Sequence, residues 1–240
     1  MKKVHFTLQG KGGVGKTFVA SLLAQYHQRE GLPVICLDTD PVNATFSGYA
    51  GCKAERVDLM EGADINPRKF DSMVARLVTE DSHFVIDNGA ASFLPLTNYL
   101  IENDVVKLLD EAEKEVVIHT IITGSMGLRD TLTGFLKLAD HIPEPARIVV
   151  WLNEFVGDII ADDGKTFEQM KAYTSHKNRV AAILRIPRRT AATFGRDLEQ
   201  MLHQRLTFEE VSQNPAFELM AKQRLAIIQR DVFNQLALVS

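Results

Sequence analysis

Short apolar runs alternate along the chain with longer segments whose apolar residues recur at helical spacing. In one of these segments Phe70, Met73, Val74 and Leu77 occupy positions i, i+3, i+4 and i+7, which predicts the buried face of a helix. Strands are predicted at 4–8, 34–37, 84–86, 116–122, 148–152 and 180–186, and helices at 16–29, 70–78, 96–112, 128–139, 165–174, 191–203 and 215–238, with 47–66 mostly loop. This alternation predicts an α/β fold with a mostly parallel central sheet flanked by helices on both faces.

The amino-acid composition excludes several classes of protein. The 240 residues are 45% hydrophobic and 24% charged, which excludes a disordered or coiled-coil chain and favours a single domain over 1–240, with the helix at 215–238 packed on it. The net charge of −4 lacks the basic excess of a dedicated nucleic-acid-binding protein. Two cysteines, no signal-peptide pattern and no run of about 18 apolar residues lead us to expect a cytoplasmic protein without a membrane-spanning helix. For the amphipathic segment 215–238, packing on the core or on a partner is favoured over contact with a membrane surface.

A glycine-rich turn between the first predicted strand and the first predicted helix carries the most specific motif. It fits G-x-x-x-x-G-K-[ST], in which the glycines aim backbone N–H groups at phosphate oxygens and the helix N-terminus adds its positive dipole end. Lys16 is predicted to bridge the outer phosphates and the Thr17 hydroxyl to bind Mg²⁺. The predicted nucleotide-binding residues here are Gly10, Lys11, Gly12, Gly13, Val14, Gly15, Lys16, Thr17 and Phe18.

Carboxylates follow the second and third predicted strands. Asp38 and Asp40 precede Pro41, and Asp87 ends the apolar run 84–86. Ligands of open α/β sheets bind where the carboxyl ends of the strands meet. Asp87 is therefore predicted to hold Mg²⁺. Asp38 and Asp40 lie at the same edge and could also contact a ligand. The alternative interpretation is that they belong to an Asp-Pro turn that caps a helix.

The run from Lys11 to Thr17, with its second lysine inside the loop, resembles the deviant Walker A family of ATPases. That family includes MinD, the ParA-type partition ATPases, the arsenite-pump ATPase and the nitrogenase iron protein. The resemblance implies ATP and Mg²⁺ as cofactors, a homodimer that sandwiches nucleotide, and slow hydrolysis used as a switch. It also implies that Lys11 reaches the phosphates of the partner subunit, that Asp40 orients the attacking water and that Asp38 supports the loop or the metal shell. The implied catalytic residues are Lys11, Lys16 and Asp40, and the implied metal ligands are Thr17, Asp38 and Asp87.

Two segments depart from the pattern of that family. The run D-T-D-P-V-N-A-T at 38–45 is one residue shorter than the family's switch I and lacks its glutamine, which leaves Asn43 without an assigned role. The run D-N-G-A at 87–90 stands where the family usually has D-x-P in switch II. Both departures, together with the chain length, are similar to the TraL-type ATPases of conjugative plasmids. This similarity implies a role in plasmid transfer or in the positioning of the transfer machinery. It also implies that a protein of the transfer apparatus is a partner.

The predicted base-binding residues come later in the chain. In the family that the motif resembles, an asparagine at the end of a late strand reads the adenine edge, and an Ile-Pro segment after the next strand lines the base pocket. Asn153 fits the first position, and Pro187 with Arg188 fits the second. Because the chain has no N-K-x-D sequence that would read guanine, ATP is favoured over GTP.

Several alternatives for partners and function stay open at this point. The stretch 171–196 has seven Lys or Arg and no Asp or Glu, which indicates either non-specific DNA binding or a solvated face. A nucleotide-gated module that recruits a partner with little turnover is one alternative function. A metallocentre-assembly ATPase is another, for which Cys52 is the cysteine expected to be exposed. The histidines show no spacing typical of metal ligands.

Overall fold

The computed structural model describes residues 1–239. Its strands are β1 (Lys2–Thr7), β2 (Val34–Asp38), β3 (Glu55–Arg56), β4 (Met60–Glu61), β5 (Asp64–Ile65), β6 (His83–Asp87), β7 (Lys114–Thr123), β8 (Arg147–Asn153) and β9 (Val180–Ile186). Across this part of the chain seven parallel strands form one sheet in the order β3-β2-β6-β1-β7-β8-β9, and β4 pairs with β5 in a separate antiparallel ribbon. The predicted parallel sheet is confirmed.

Helices cover both faces of this sheet, also as predicted. They are α1 (Lys16–Arg29), α2 (Phe70–Thr79), α3 (Phe93–Glu102), α4 (Val105–Glu111), α5 (Leu128–His141), α6 (Lys171–Thr174), α7 (Arg196–His203), α8 (Phe208–Gln213) and α9 (Leu219–Leu236). The core on one face is formed with α2 to α5, and the core on the other with α1 and α7 to α9. Neighbouring residues of a strand enter opposite cores, as Val85 and Ile86 do, so central strands read as unbroken apolar runs.

The single helix predicted over 96–112 is wrong. The chain forms α3, which ends at Glu102, and a second helix that begins at Val105. Between them Asp104 takes a left-handed conformation with φ of 48°, which a continuous helix does not allow. Both helices bury apolar residues in the same core. This shared burial explains why the apolar residues over 96–112 resemble the irregular apolar face of a single helix.

Other predicted boundaries also shift in the C-terminal half. The helix predicted at 165–174 divides into a 3-10 turn and the four-residue α6, and the helix predicted at 191–203 begins with a π-helical turn. The helix predicted at 215–238 begins only at Leu219, and α8 before it was not predicted. Thr207 and Glu210 form a capping box that starts α8, a short helix that buries only Phe208 and Val211. The segment 47–66 contains the short strands β3 to β5 between its turns.

The last helix, α9, packs along the second core. Its inward residues include Leu225, Ile228 and Val232, which are buried against that face of the sheet. Within residues 1–239, no helix is both long enough and apolar enough to cross a membrane.

The parallel order places several chemically interesting strand ends at one edge of the sheet. Thr7 on β1 and Asp38 on β2 are both in register with Asp87 on β6, which lies between them. Farther along the same edge, Asn153 ends β8 beside Thr123 of β7. The loops that follow these strands form the candidate site.

Candidate functional site

The glycine-rich turn joins β1 to α1 and forms a backbone cradle at this edge. Gly13 and Gly15 have φ of 73° and 99°, in the left-handed region that favours glycine. A Cβ on Gly15 would also lie 3.0 Å from the side-chain nitrogen of Asn153. Backbone conformation and close packing therefore both require glycine at position 15. The turn ends at the N-terminus of α1, where phosphate-binding loops hold their ligand.

Lys16, the first residue of α1, is buried beside the cradle. Its Nζ donates a hydrogen bond to the carbonyl oxygen of Lys11 at 3.0 Å. Burial lowers the pKa of Lys16, and the nearby carboxylates of Asp87 and Asp40 partly oppose that shift. Because an ammonium group has three donors, this contact leaves Lys16 able to bind a phosphate oxygen.

Asp87 ends β6 between two threonine hydroxyls. Thr17 Oγ1 donates to Asp87 Oδ2 at 2.6 Å, and Thr7 Oγ1 donates to Asp87 Oδ1 at 2.9 Å. Burial raises the pKa of Asp87 to about 7, although the hydrogen bonds from Thr17 and Thr7 oppose the rise. A carboxylate and a hydroxyl side by side are oxygen ligands of the kind that Mg²⁺ takes in phosphate-binding proteins. The donor set formed by Thr17 and Asp87 therefore fits the predicted metal ion.

The two aspartates after β2 have different surroundings. Asp38 is fully buried, and its two carboxylate oxygens accept the backbone N–H groups of Asp40 at 3.1 Å and Ser47 at 2.8 Å. Burial raises the pKa of Asp38, and these hydrogen bonds lower it in part. Asp38 thus supports the following loop, while its place in the metal shell stays a prediction. Asp40 Oδ1 accepts the backbone N–H groups of Val42 and Asn43 at 2.9 and 3.0 Å.

Lys11 is exposed, in contrast to Lys16. Its Nζ forms an ion pair with Asp130 Oδ2 at 2.8 Å, in the first turn of α5. The hydrogen bond from Lys11 lowers the pKa of Asp130. Exposed ion pairs are weak, so Lys11 can exchange this partner for another anion at little cost. No sequence motif marks Asp130, which sequence reasoning missed.

The cradle and the loops opposite it line a cavity of about 600 Å³. This volume lies in the range of small-molecule sites. The loop glycines, Lys16 and Thr17 line one side, and the other side includes Asp40, Asn43, Thr45, Asn88 and Ala90. The structure therefore brings together the predicted phosphate-binding lysine, the predicted water-orienting aspartate and Asn43, to which no role was assigned from the sequence.

Comparisons with known proteins decide the family. The model of the CobQ/CobB/MinD/ParA nucleotide binding domain matches residues 6–222. The chain belongs to this family. It is 48% identical over 236 residues to protein TraL of Escherichia coli, a match that covers 98% of each chain. The family and the TraL similarity predicted from the motifs are thus confirmed.

Solved structures of MinD-type proteins share the fold of this MinD/ParA family member. A chain of the MinC:MinD cell division protein complex of Aquifex aeolicus has a TM-score of 0.57 at 14% identity, with 100% of this chain and 97% of that chain covered. MinD of Pyrococcus horikoshii OT3, complexed with Mg-ADP, has a TM-score of 0.52 at 16% identity, with 100% and 99% covered.

The predicted base-binding asparagine has one unsatisfied atom. Asn153 Nδ2 donates to the carbonyl oxygen of Val14 at 2.9 Å, whereas Asn153 Oδ1 is buried without a hydrogen-bond partner among residues 1–239. A buried acceptor without a donor is costly. Asn153 does not line the cavity beside the cradle, so its contact with the adenine amino group stays a prediction. Pro187 directly follows Ile186, which is in register with Asn153.

The basic stretch 171–196 is partly neutralised by carboxylates in this MinD/ParA-type fold. Its ion pairs are Arg179 with Glu144, Arg185 with Glu154 and Glu168, Arg188 with Asp158, and Arg189 with Asp231. Arg188, predicted for the base pocket, is exposed and bound to Asp158 at 2.8 Å. DNA binding by this stretch stays a prediction, and fewer free charges are available for it than the sequence suggests.

The expectation that Cys52 is exposed is wrong. The 3-10 turn that contains Cys52 follows the loop after β2 and places the side chain in the second core. Burial also raises the pKa of the thiol. Cys52 is therefore poorly suited to bridge metal between two subunits, and the metallocentre alternative loses its candidate ligand.

Four histidines that are far apart in the sequence meet on the α1 face of the sheet. They are His5 on β1, His27 on α1, His83 on β6 and His119 on β7. Trp151 Nε1 donates to His119 Nδ1 at 2.9 Å; His119 Nε2 lies 2.9 Å from His5 Nδ1, and His5 Nε2 lies 2.9 Å from His27 Nε2. We call Trp151, His119, His5 and His27 the histidine relay. Sequence spacing does not reveal it because each residue comes from a different element.

The indole N–H of Trp151 determines which ring nitrogens carry hydrogen along the histidine relay. Indole only donates, so neutral His119 carries its hydrogen on Nε2, and His5 in turn carries its hydrogen on Nε2. The backbone N–H of Lys3 donates to His83 Nδ1 at 3.1 Å, which places the His83 hydrogen on Nε2 as well. Nitrogens of His5, His27 and His83 lie within 4.8 Å of one another. Because Nε2 of both His5 and His83 carries a hydrogen rather than a free lone pair, we interpret the cluster as structural and not as a metal site.

Proposed function

We propose that this protein is an ATP-dependent dimerising switch that hydrolyses Mg·ATP slowly. The observation that carries the proposal is the hydrogen bond of 2.6 Å between Thr17 and Asp87, directly after buried Lys16 at the cradle. The contact joins Thr17, which follows the predicted phosphate-binding Lys16, to Asp87, the carboxylate that is predicted to bind the metal ion. Membership of a nucleotide-binding family and the TraL similarity support the same proposal.

Each residue has a defined part in the proposed reaction. Lys16 and the loop amides bind the phosphates, Thr17 and Asp87 hold Mg²⁺, and Asn153 accepts the adenine amino group. The metal supplies positive charge that offsets the charge on the phosphates and on Asp87. Asp40 accepts a hydrogen bond from the water that attacks the terminal phosphorus. The bond from that phosphorus to the ADP oxygen breaks as the bond to water forms, and the proton that the water loses leaves on the released phosphate.

A second copy of the chain completes the proposed site. Lys11 is exposed and forms a weak ion pair with Asp130, so it is available to the phosphates of a partner subunit. There it would stabilise the charge that develops in the transition state, as an arginine finger does. ATP thereby joins two subunits, and hydrolysis releases them.

The similarity to protein TraL supports a proposal for the cellular role. We propose that the nucleotide-dependent pairing serves conjugative plasmid transfer, through a protein of the transfer apparatus. Residues 38–46 and 87–93, which face the cavity from the side opposite the cradle, are the segments whose order would depend on the nucleotide.

Two measurements test the proposal. Phosphate release is measured for the wild type, Lys16→Ala and Asp40→Ala, with Lys165→Ala as the control because that exposed lysine lies outside the cavity. We expect both cavity variants to lose release and the control to keep it. Size-exclusion chromatography with light scattering should show dimers in ATP and monomers in ADP or without nucleotide. Wild-type release no greater than that of Asp40→Ala would contradict the enzyme.

A nucleotide-gated module without turnover is the second candidate. The observation that favours it is that Asp40 Oδ1 is engaged by the amides of Val42 and Asn43. If ATP produces dimers but no phosphate release above that of Asp40→Ala, this second function replaces the first.

A further inference from the structure

A buried hydrogen-bond network joins the two loops opposite the cradle. Thr39, between Asp38 and Asp40, is fully buried. Its backbone N–H and its hydroxyl both lie within hydrogen-bond distance of the Asp87 carbonyl oxygen, at 2.9 and 3.0 Å. The same hydroxyl lies 3.2 Å from Asn88 Oδ1, so its single hydrogen is shared between two acceptors on the neighbouring loop.

Asn88 is held from its other side by the start of α3. Ser92 Oγ donates to Asn88 Oδ1 at 2.8 Å and lies 3.1 Å from the Thr39 carbonyl oxygen. Asn88 Nδ2 donates to the Gly89 carbonyl oxygen at 3.0 Å. Asn88 and Ser92 are fully buried, as Thr39 is. We call Thr39, Asn88 and Ser92 the loop joint; no sequence motif indicated it.

The predicted water-orienting residue rests directly on the segment that the loop joint fixes. A Cβ on Gly89 would lie 2.5 Å from Asp40 Cγ and 2.6 and 2.9 Å from the two carboxylate oxygens. The Asp40 carboxylate therefore packs against the bare backbone of Gly89, the residue after Asn88. Any shift of the 87–93 backbone relative to 38–46 changes where this carboxylate lies over the cavity.

We propose that the loop joint makes the two loops move as one body and thereby positions Asp40 for the attacking water. Thr39 is a positioning residue in this scheme, because it acts through Asp40 and does not line the cavity. Its hydroxyl is the atom that links the loop after β2 to Asn88. The inference deepens the proposed function, on which it rests, since it names what sets the water-orienting geometry.

A conservative pair of variants separates positioning from folding. Thr39→Val keeps the shape and the backbone hydrogen bond but removes the hydroxyl, whereas Thr39→Ser keeps the hydroxyl. The fold should tolerate Thr39→Val because Asp87 still accepts the N–H of residue 39 and Asn88 still accepts the hydroxyl of Ser92. Neither buried acceptor is left without a donor.

The main measurement compares phosphate release with nucleotide affinity. We expect Thr39→Val to lower release about tenfold to a hundredfold, because a displaced catalytic group loses rate steeply, with Mg·ATP affinity within about threefold of the wild type. Thr39→Ser should stay within about threefold in both measurements. In an Asp40→Asn background, Thr39→Val should lower release less than about twofold further, because the residue through which it acts has been removed.

Several results would overturn the inference while leaving the proposed function intact. Thr39→Val could release phosphate at the wild-type rate, or Thr39→Val and Thr39→Ser could lose release equally. Thr39→Val could lose nucleotide affinity in parallel with release, or it could lower release in the Asp40→Asn background by the same factor as in the wild type. A parallel loss of affinity and of thermal stability would assign Thr39 to the fold alone.

Hydrogen exchange decides the inference even if the wild type releases no phosphate, a result by which the proposed function fails. Without nucleotide, we expect peptides covering 40–49 and 88–96 to exchange faster together in Thr39→Val than in Thr39→Ser. The amides of Val42, Asn43 and Ser47 report the first loop because carboxylates of Asp40 and Asp38 hold them. Faster exchange in one peptide only, or in neither, would show that the loops are not joined through this hydroxyl.

Discussion

Two groups of buried polar side chains, one at the carboxyl edge of the sheet and one between the sheet and α1, differ in whether they carry charge. At the carboxyl edge, burial raises the pKa of Asp87 to about 7 and lowers the pKa of Lys16, beside a cavity that both the cradle and the opposite loops line. On the α1 face, the histidine relay consists of neutral rings that bond to one another, and burial lowers the pKa of His27 to about 4.

The difference separates the candidate ligand site from the histidine cluster that we interpret as structural. Charges at the carboxyl edge are costly in the protein alone and are relieved by counter-charges from outside, as a metal ion and a phosphate would supply. The rings of the histidine relay are neutral near pH 7 and need no counter-charge. Because burial raises the pKa of Asp87 and lowers the pKa of His27, these two residues should change the stability of the fold with pH in opposite directions.

The largest effect is expected for Asp87→Asn in the nucleotide-free protein. The folded pKa of about 7 lies above the ordinary value of 3.8, so this carboxyl contributes stability that is present below pH 3.8 and is lost as pH rises through 7. Removing the charge should raise the free energy of unfolding at pH 8 by about 4 kcal/mol. Urea unfolding at pH 8 and pH 4 measures the gain, which should shrink toward the lower pH.

Asp81→Asn is the matched control for this variant, because Asp81 is 91% exposed. It should change the unfolding free energy little at either pH. Mg·ATP should stabilise the wild type and no longer stabilise Asp87→Asn. Equal stability of Asp87→Asn and the wild type at pH 8 would mean that the buried charge of Asp87 does not destabilise the fold. The comparison between the two groups would then fail.

The next largest effect concerns His27 in the histidine relay. Its folded pKa of about 4 lies below the ordinary value of 6.5, so the wild type loses stability as pH falls from 6.5 toward 4, by about 3 kcal/mol from this residue. His27→Gln keeps an acceptor for His5 but cannot be protonated. Urea unfolding from pH 7 to pH 4 should show a flatter acid limb for His27→Gln. Exposed His141→Gln should keep the wild-type slope, and equal slopes in all three proteins would contradict the assignment.

The fold and the glycine-rich turn were predictable because their signals are local. Strands buried on both faces read as apolar runs, and a turn that needs left-handed residues at 13 and 15 requires glycine there. The helix break at Asp104 was not predictable, because the apolar stripes of α3 and α4 enter one core and hide the left-handed residue between them.

Site residues that act through tertiary contacts left no sequence signal. Asp130 meets Lys11 across 119 positions, and the Thr39 hydroxyl meets Asn88 across 49. Cys52 lies in a polar, glycine-containing segment, and only the packing of its 3-10 turn against the second core buries it. Motifs identify residues that touch a ligand, whereas residues that hold those residues in place are found from the fold.

A smaller effect is expected at the base end of the carboxyl edge. Asn153→Ala removes the buried oxygen that would accept the adenine amino group. Asn153→Ala also removes the hydrogen bond from Asn153 Nδ2 to the Val14 carbonyl oxygen, which should weaken the affinity for both nucleotides equally. Loss of the adenine contact should weaken ATP affinity about tenfold more than GTP affinity, so the preference for ATP narrows. Competition with a fluorescent nucleotide measures both affinities. Exposed Asn98→Ala is the control, and an equal loss for ATP and GTP would refute the adenine contact.

The smallest effect should come from Asp130→Asn, which releases Lys11 from its ion pair. Both side chains are about half exposed, so the lost contact is weak, and ATP-dependent dimerisation should strengthen only about threefold. Asp163→Asn breaks a similarly exposed pair with Lys165 outside the cavity and should leave dimerisation unchanged. Light scattering across protein concentrations in ATP measures the dimer dissociation constant. Weaker pairing in Asp130→Asn would mean that Asp130 helps Lys11 to join two subunits rather than competing for it, and the exposed lysine would then belong to a fixed interface.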